Sequence, residues 1–199
     1  NPVRESSAAR LDELTRRELK PFPAEAWSTL ADWTNGAAIS KSATDGKVVL
    51  IVTWADWYAP SVRGLNLARK MAEKYGKDGL VVVAVHADQS WAEAKKPKAP
   101  EGATFLLAHD AGDKFRKSLN VDADPDFYFI DRSGALRFAD VVNESVDDAV
   151  KGLLAETKED AASLSDRIRN AKQKFEQDRK RSVSVNNDAN LATLPELPF

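Results

Sequence analysis

Thr53-Trp54-Ala55-Asp56-Trp57-Tyr58-Ala59-Pro60-Ser61-Val62-Arg63 is the stretch whose reading decides the fold. It closes the continuous apolar run Val48-Val49-Leu50-Ile51-Val52-Thr53-Trp54, the signature of a strand buried on both faces. Pro60 suits the first turn of a following helix, because its missing N–H is not needed there. That helix, over about 61–75, places Leu65, Ala68, Met71, Ala72 and Tyr75 at helical spacing, and Gly76 and Gly79 close it. Strand, tight aromatic loop and helix therefore form one unit.

Outward from this unit, Leu80–His86 reads as a second buried strand and Thr104–His109 as a third. A short helix is expected over Trp91–Lys95, followed by the exposed loop Lys96–Gly102, and another short helix over Lys114–Leu119. Phe127–Ile130 and Ala135–Val142 form a hairpin across Asp131-Arg132-Ser133-Gly134. Ser145, with Asp148 three residues on, is the expected cap of a helix carrying Val146, Ala149, Val150, Leu153 and Leu154. On the N-terminal side, a helix is expected over Ser7–Leu19. After Pro21 and Pro23, Ala24–Trp33 reads as a short helix or turn, with the core beginning at Lys47.

Composition bounds the function. The chain has 199 residues, 43% hydrophobic and 30% charged, enough for one well-buried domain with additions. Its 29 basic and 31 acidic residues leave a formal charge of -2, which favours neither nucleic acid nor an anionic membrane as partner. No apolar run approaches the roughly 20 residues of a spanning helix. Asn1–Ser6 is polar, shows no signal-peptide pattern and lacks a starting Met, which reads as a processed or trimmed chain. There is no cysteine, so disulfides, thiolate metal sites and thiol nucleophiles are excluded.

The loop resembles the active site of the thioredoxin-like superfamily, whose pattern is an apolar strand, then Trp-Cys-x-Pro-Cys, then a helix. Trp57 and Pro60 match. Tyr58 stands at the attacking thiol and Ser61 at the resolving thiol. A second match is Val121-Asp122-Ala123-Asp124-Pro125-Asp126-Phe127-Tyr128-Phe129-Ile130-Asp131-Arg132-Ser133-Gly134. The family has a cis proline there, facing the active site, so the resemblance implies a cis Asp124–Pro125 bond. Family members carry Val or Thr before that proline, whereas Asp124 puts a charge there. The resemblance covers about 37–156 and is closest to the TlpA-like and redoxin branch of periplasmic or secreted thiol–disulfide oxidoreductases.

It implies an α/β thioredoxin-like three-layer sandwich around a mixed sheet, with N-terminal (1–36) and C-terminal (157–199) helical extensions. Without cysteine, no thiol–disulfide oxidoreductase or peroxidase activity is expected, and no cofactor. Tyr58 has a reference pKa near 10, and a helix terminus alone does not make it a nucleophile. The leading expectation is a binding or scaffolding module for an extended peptide or protein, using Trp57, Tyr58, Pro60, Ser61, Asp124 and Pro125. Trp54 and Trp91 also stand near this edge, Trp54 as core. The alternatives are an inactive descendant of the oxidoreductases, or a hydrolase or metal-binding protein using Ser61 and His86, with His109 as a further metal candidate. Ser61 as a plain cap or inward-facing hydroxyl competes with each of these.

In the C-terminal part, Ala161, Leu164, Ile168, Ala171 and Phe175 alternate at spacings of 3 and 4. This stripe lasts about two heptads and offers self-association through 157–181, or packing on its own chain. The tail from Asn186 to Phe199 is polar and then ends in Leu191, Leu194, Pro195, Leu197, Pro198 and Phe199, either disordered or laid over an apolar surface.

Overall fold

The computed structural model describes residue 14 and residues 17–191. The expected helix over 7–19 lies mostly outside the described residues. Of the tail expected from Asn186, residues 186–191 are helical, which corrects the expected disordered or extended segment there, and 192–199 lie outside the described residues. The chain falls into two compact units, Asn1–Ala162 and Ser163–Phe199.

In the first unit the chain runs α1 (Ala24–Trp27), β1 (Ala31–Thr34), α2 (Lys41–Thr44), β2 (Val48–Trp54) and α3 (Ala59–Tyr75). It continues through β3 (Leu80–His86), β4 (Thr104–His109), α4 (Lys114–Leu119), β5 (Phe127–Ile130), β6 (Leu136–Phe138) and α5 (Val146–Leu154). The six strands form one sheet in the order β1-β4-β3-β2-β5-β6. β2, β3 and β4 are mutually parallel, while β1, β5 and β6 pair antiparallel to their neighbours. Every residue of β2 and β3 is buried, as expected of near-continuous apolar, Val-rich runs in strands covered on both faces.

Alternation along β2 feeds two apolar layers. Val48, Leu50, Val52 and Trp54 pack with Leu65, Ala68, Met71 and Ala72 of α3 and with Val146, Val150 and Leu153 of α5. Val49 and Ile51 pack on the other face with Phe115 and Leu119 of α4 and with Leu14, Phe22, Leu30 and Ile39. Each fully buried side chain of this size contributes roughly 1.5–3 kcal/mol. The core therefore takes in apolar residues well before Lys47, which corrects the expected start.

Three local expectations are also corrected. The helix after Pro23 ends at Trp27, and Trp33 lies in a strand that pairs with β4 through Ala31↔His109 and Thr34↔Leu107. A four-residue segment ending a mixed sheet gains ladder bonds that periodicity does not report. Trp91–Ala94 forms turns rather than a helix; Trp91 is buried, and Ser90 accepts from the Glu93 and Ala94 amides through its carbonyl. Ser145 precedes α5 with helical backbone angles and no side-chain capping bond, because a single 3-10 turn over Asn143–Ser145 leads into the helix instead.

The β5–β6 turn is held by Asp131. Its Oδ1 accepts from the Ser133 amide (2.9 Å), the Ser133 hydroxyl (2.6 Å) and the Ala135 amide (3.1 Å). Arg137 donates to Asp131 at 3.1 Å and to both oxygens of Glu156 at 2.9 and 2.8 Å, tying the hairpin to the end of α5.

Helix α6 (Lys158–Leu191) starts in the first unit, where Ala161 is buried and Lys158 Nζ lies 2.7 Å from Asp45 Oδ1. Within the second unit it carries an Asp166–Arg169 pair at 3.0 Å, and Phe175 is exposed.

Candidate functional site at the carboxyl edge of the sheet

Parallel β2, β3 and β4 end together, so the loop after β2 stands where open α/β sheets present ligand sites. Trp54, His86 and His109 are in register across the three strands and form one row at this edge. Beyond Trp54 the loop turns into α3. Tyr58 is the residue before the helix, in extended conformation, and its carbonyl accepts from the Ser61 and Val62 amides at 3.0 and 3.2 Å. Its side chain makes no capping bond and is 47% exposed, while Trp57 is 52% exposed.

Ser61 is fully buried. Its hydroxyl donates to the Ala55 carbonyl at 2.6 Å and accepts from the Ala55 amide at 2.8 Å. The side chain closes the loop on itself, the inward-facing role among those expected. It lies beneath the surface that Trp57 and Tyr58 form, not on it.

The structure does not join Ser61 to His86. His86 Nδ1 is 2.6 Å from the Ala87 carbonyl, which can only accept, so that nitrogen carries the proton. Nε2 then accepts from the Asp56 amide at 3.3 Å, with Asp56 Oδ1 3.4 Å away. Both nitrogens are engaged and the ring is buried. Burial lowers its affinity for a second proton, against the raising pull of the Ala87 carbonyl and the Asp56 carboxylate. The ring edges onto Trp54 at 4.4 Å and onto Trp57 at 5.9 Å. His109 holds Asp32 Oδ2 and Asp88 Oδ1, each at 2.9 Å, so its nitrogens are likewise occupied. Among the described residues, no group of three or more His, Cys, Asp or Glu is placed to hold a metal ion.

The Asp124–Pro125 peptide is cis. Pro125 lies directly over α3 at Gly64: a Cβ there would meet Pro125 Cβ at 2.5 Å and Cγ at 2.6 Å. The charge of Asp124 is not left alone. Arg116 of α4 brings Nη2 to 2.8 Å from Asp124 Oδ1 and also donates to the Trp54 carbonyl at 3.2 Å. The contact is an ion pair off the hydrogen-bond line, with Asp124 Oδ1 and Arg116 Nε buried and otherwise unpartnered by protein. Helix α4 is aimed by Asp110, which accepts from the Phe115 and Arg116 amides at 2.8 Å each. Burial raises the Asp110 carboxyl above its usual range, against those two amides. Arg116 is the site residue that sequence reading missed. It stands between Phe115 and Leu119 in a short helix, and no spacing rule links it to Asp124.

Of the residues expected to form the site, Trp57 and Tyr58 are exposed, Pro60, Asp124 and Pro125 are half-buried, and Ser61 is buried. Trp54 and Trp91 are buried, so they support the edge from below.

A parallel core with an antiparallel hairpin, a loop-to-helix turn at its edge and a proline segment across from that turn define a thioredoxin-like protein. Solved structures agree on the fold. A thioredoxin-like protein in its oxidized form aligns with TM-score 0.55 and 25% identity over 71% of this chain and 97% of that one. A thiol-disulfide isomerase from Corynebacterium glutamicum aligns with TM-score 0.52 and 21% identity over 64% and 94%. The family profile described as Redoxin matches residues 20–155, and the chain belongs to the Redoxin family. Among curated relatives, the thiol-disulfide oxidoreductase ResA of Bacillus thuringiensis (strain Al Hakam) is 24% identical over 119 residues, covering 60% of this chain and 68% of ResA. ResA of Geobacillus kaustophilus (strain HTA426) is 26% identical over 92 residues, covering 46% and 53%. The present chain has the fold of these proteins and no cysteine.

Proposed function

We propose that this protein is a non-redox binding module, which holds an extended peptide or protein segment across the Trp57–Pro60 loop and the Asp124–Pro125 segment. The observation that carries this reading is the exposure of Trp57 and Tyr58, at 52% and 47%. Within the first unit they are the large hydrophobic side chains that the described residues leave in water. Both sit on a loop fixed by the Ser61 hydroxyl and the α3 start, so they present apolar area at little entropic cost. Rigid aromatics of this kind are the side chains that anchor protein interfaces. The relatives named as thiol–disulfide oxidoreductases imply a reaction that needs thiols, and this chain supplies none.

The test is tryptophan-fluorescence titration with a panel of defined extended peptides, on the wild type and on a Trp57→Ala/Tyr58→Ala variant. Binding by a subset of peptides is expected, weakened at least about tenfold in the variant. The unfolding free energy of the variant stays within about 0.5 kcal/mol of wild type, as for surface substitutions. No binding by any peptide, equal binding by both proteins, or insulin reduction above background overturns the reading.

A further inference from the structure

Next to the aromatic edge, His109 joins two segments, strand β1 and the loop after β3. Its Nδ1 is 2.9 Å from Asp32 Oδ2 in β1, and its Nε2 is 2.9 Å from Asp88 Oδ1 in the loop after β3. We infer that His109 is a proton-operated clasp: doubly protonated, it holds edge strand β1 and the Asp88–Lys96 loop onto the sheet, and on losing one proton it releases one of them.

The argument is geometric. A carboxylate can only accept, so each of the two bonds needs an N–H, and a neutral imidazole has one. Both bonds together require the imidazolium. Both segments are also held by packing, Trp91 and Ala94 being buried in the core and Trp33 lying against it, and the His109 bonds add to that hold. β1 pairs with β4 only at its ends, with an irregular register between, and Asp32 itself has φ +48°. Such a conformation persists in a non-glycine residue when its surroundings enforce it. In the loop, Trp91 lies parallel to the His109 ring at 5.3 Å, and Lys96 Nζ sits 4.1 Å from the Trp91 ring centre while donating to the Trp91 carbonyl.

The charged groups facing His109 are therefore Asp32 from β1 and Asp88 from the loop. Lys96 is a cation that reaches this cluster through Trp91. Asp113, before α4, faces the Asp88 amide at 3.4 Å. His86 on β3 meets Trp91 at 5.6 Å with both its nitrogens occupied, and Asp110 points into the α4 N-terminus. Two carboxylates against one ring favour the cation. Burial lowers the affinity of His109 for its proton, but the hydrogen bonds its ring donates to Asp32 and Asp88 outweigh it and leave the pKa raised. A histidine raised in the folded state stabilises it below the unfolded value and loses that contribution as pH rises through the folded one. Opening thus accompanies alkalinisation. Trp91 also touches His86, whose ring meets Trp57, so the clasp borders the aromatic edge.

The experiment is amide hydrogen exchange on the full chain from pH about 5.5 to about 9, corrected for intrinsic rates, with ¹⁵N spectra of the histidine rings. Both His109 nitrogens are expected to be protonated at the acid end. Protection of one of the two segments, 31–34 or 88–96, taken relative to β2, falls about tenfold as the ring titrates. Asp32→Asn supplies a donor to a neutral Nδ1, and so is expected to keep both segments protected at high pH. His109→Gln, checked for folding by circular dichroism, is expected to show low protection throughout. Protection that does not change with pH in the wild type overturns the clasp. So does the wild-type midpoint persisting in either variant, or a singly protonated ring with both segments protected.

Discussion

Arg116 Nη2 lies 2.8 Å from Asp124 Oδ1, and both side chains are largely shielded from water, at 12% and 15% exposure. The charge that makes this proline segment unusual is therefore answered from α4, by a guanidinium that also donates to the Trp54 carbonyl. Removing Arg116 alone strands a nearly buried carboxylate. Arg116→Ala is expected to cost about 2–3 kcal/mol in urea unfolding. Adding Asp124→Ala to it recovers part of that loss, with a coupling energy of about 1–2 kcal/mol. Strict additivity of the two substitutions refutes the pairing.

Ser61 offers a second check, because its hydroxyl satisfies both backbone groups of Ala55. Ser61→Ala leaves that buried amide and carbonyl without their partner and is expected to cost about 1–3 kcal/mol. The loop then holds Trp57 less firmly, so the peptide titration weakens with it. A Ser61→Ala protein as stable as wild type shows that the hydroxyl is dispensable to the loop.

Gly64 is in the interior of α3, where alanine is the better helix former by about 1 kcal/mol. The sign is expected to reverse here. A Cβ would lie 2.5 Å from Pro125, and neither the helix nor the β2–β5 pairing that anchors the proline segment can retreat cheaply. Gly64→Ala is expected to destabilise by about 1–3 kcal/mol and to shift the amide resonances of Asp126 and Phe127. A stabilised variant shows the approach to be loose.

The two histidines pull stability in opposite directions with pH. His86 is buried neutral and its pKa is lowered, chiefly by burial, so the unfolded chain binds its proton more readily. Its contribution is present above the unfolded value near 6.5 and declines as pH falls below it. In a His109→Gln background, which removes the opposing group, unfolding free energy is expected to fall steadily from pH about 7.5 to about 5. Adding His86→Asn flattens that slope. The comparison of the two proteins reads the contribution of His86, and equal slopes refute the assignment.

Some of this protein was legible in its sequence, and the division has a physical basis. Val48–Trp54 and Leu80–His86 declared buried parallel strands because a strand covered on both faces is apolar along most of its length, the polar Thr53 and His86 falling at its carboxyl end. The two motifs around Trp57–Pro60 and Asp124–Pro125 carried the thioredoxin-like fold, and zero cysteine decided which chemistry is missing. Local patterns could do this because each is written in consecutive residues. Trp33 lies in an edge strand because of its distant partner β4, and Trp91 lies in a turn where its ring is buried against His86 and His109. The tertiary structure alone decided that Ser61 closes the loop instead of facing a ligand, that Arg116 answers Asp124, and that His109 stands between Asp32 and Asp88. These pairings join residues from separate elements brought to one sheet edge, and no spacing along the chain encodes a contact that only the strand order creates.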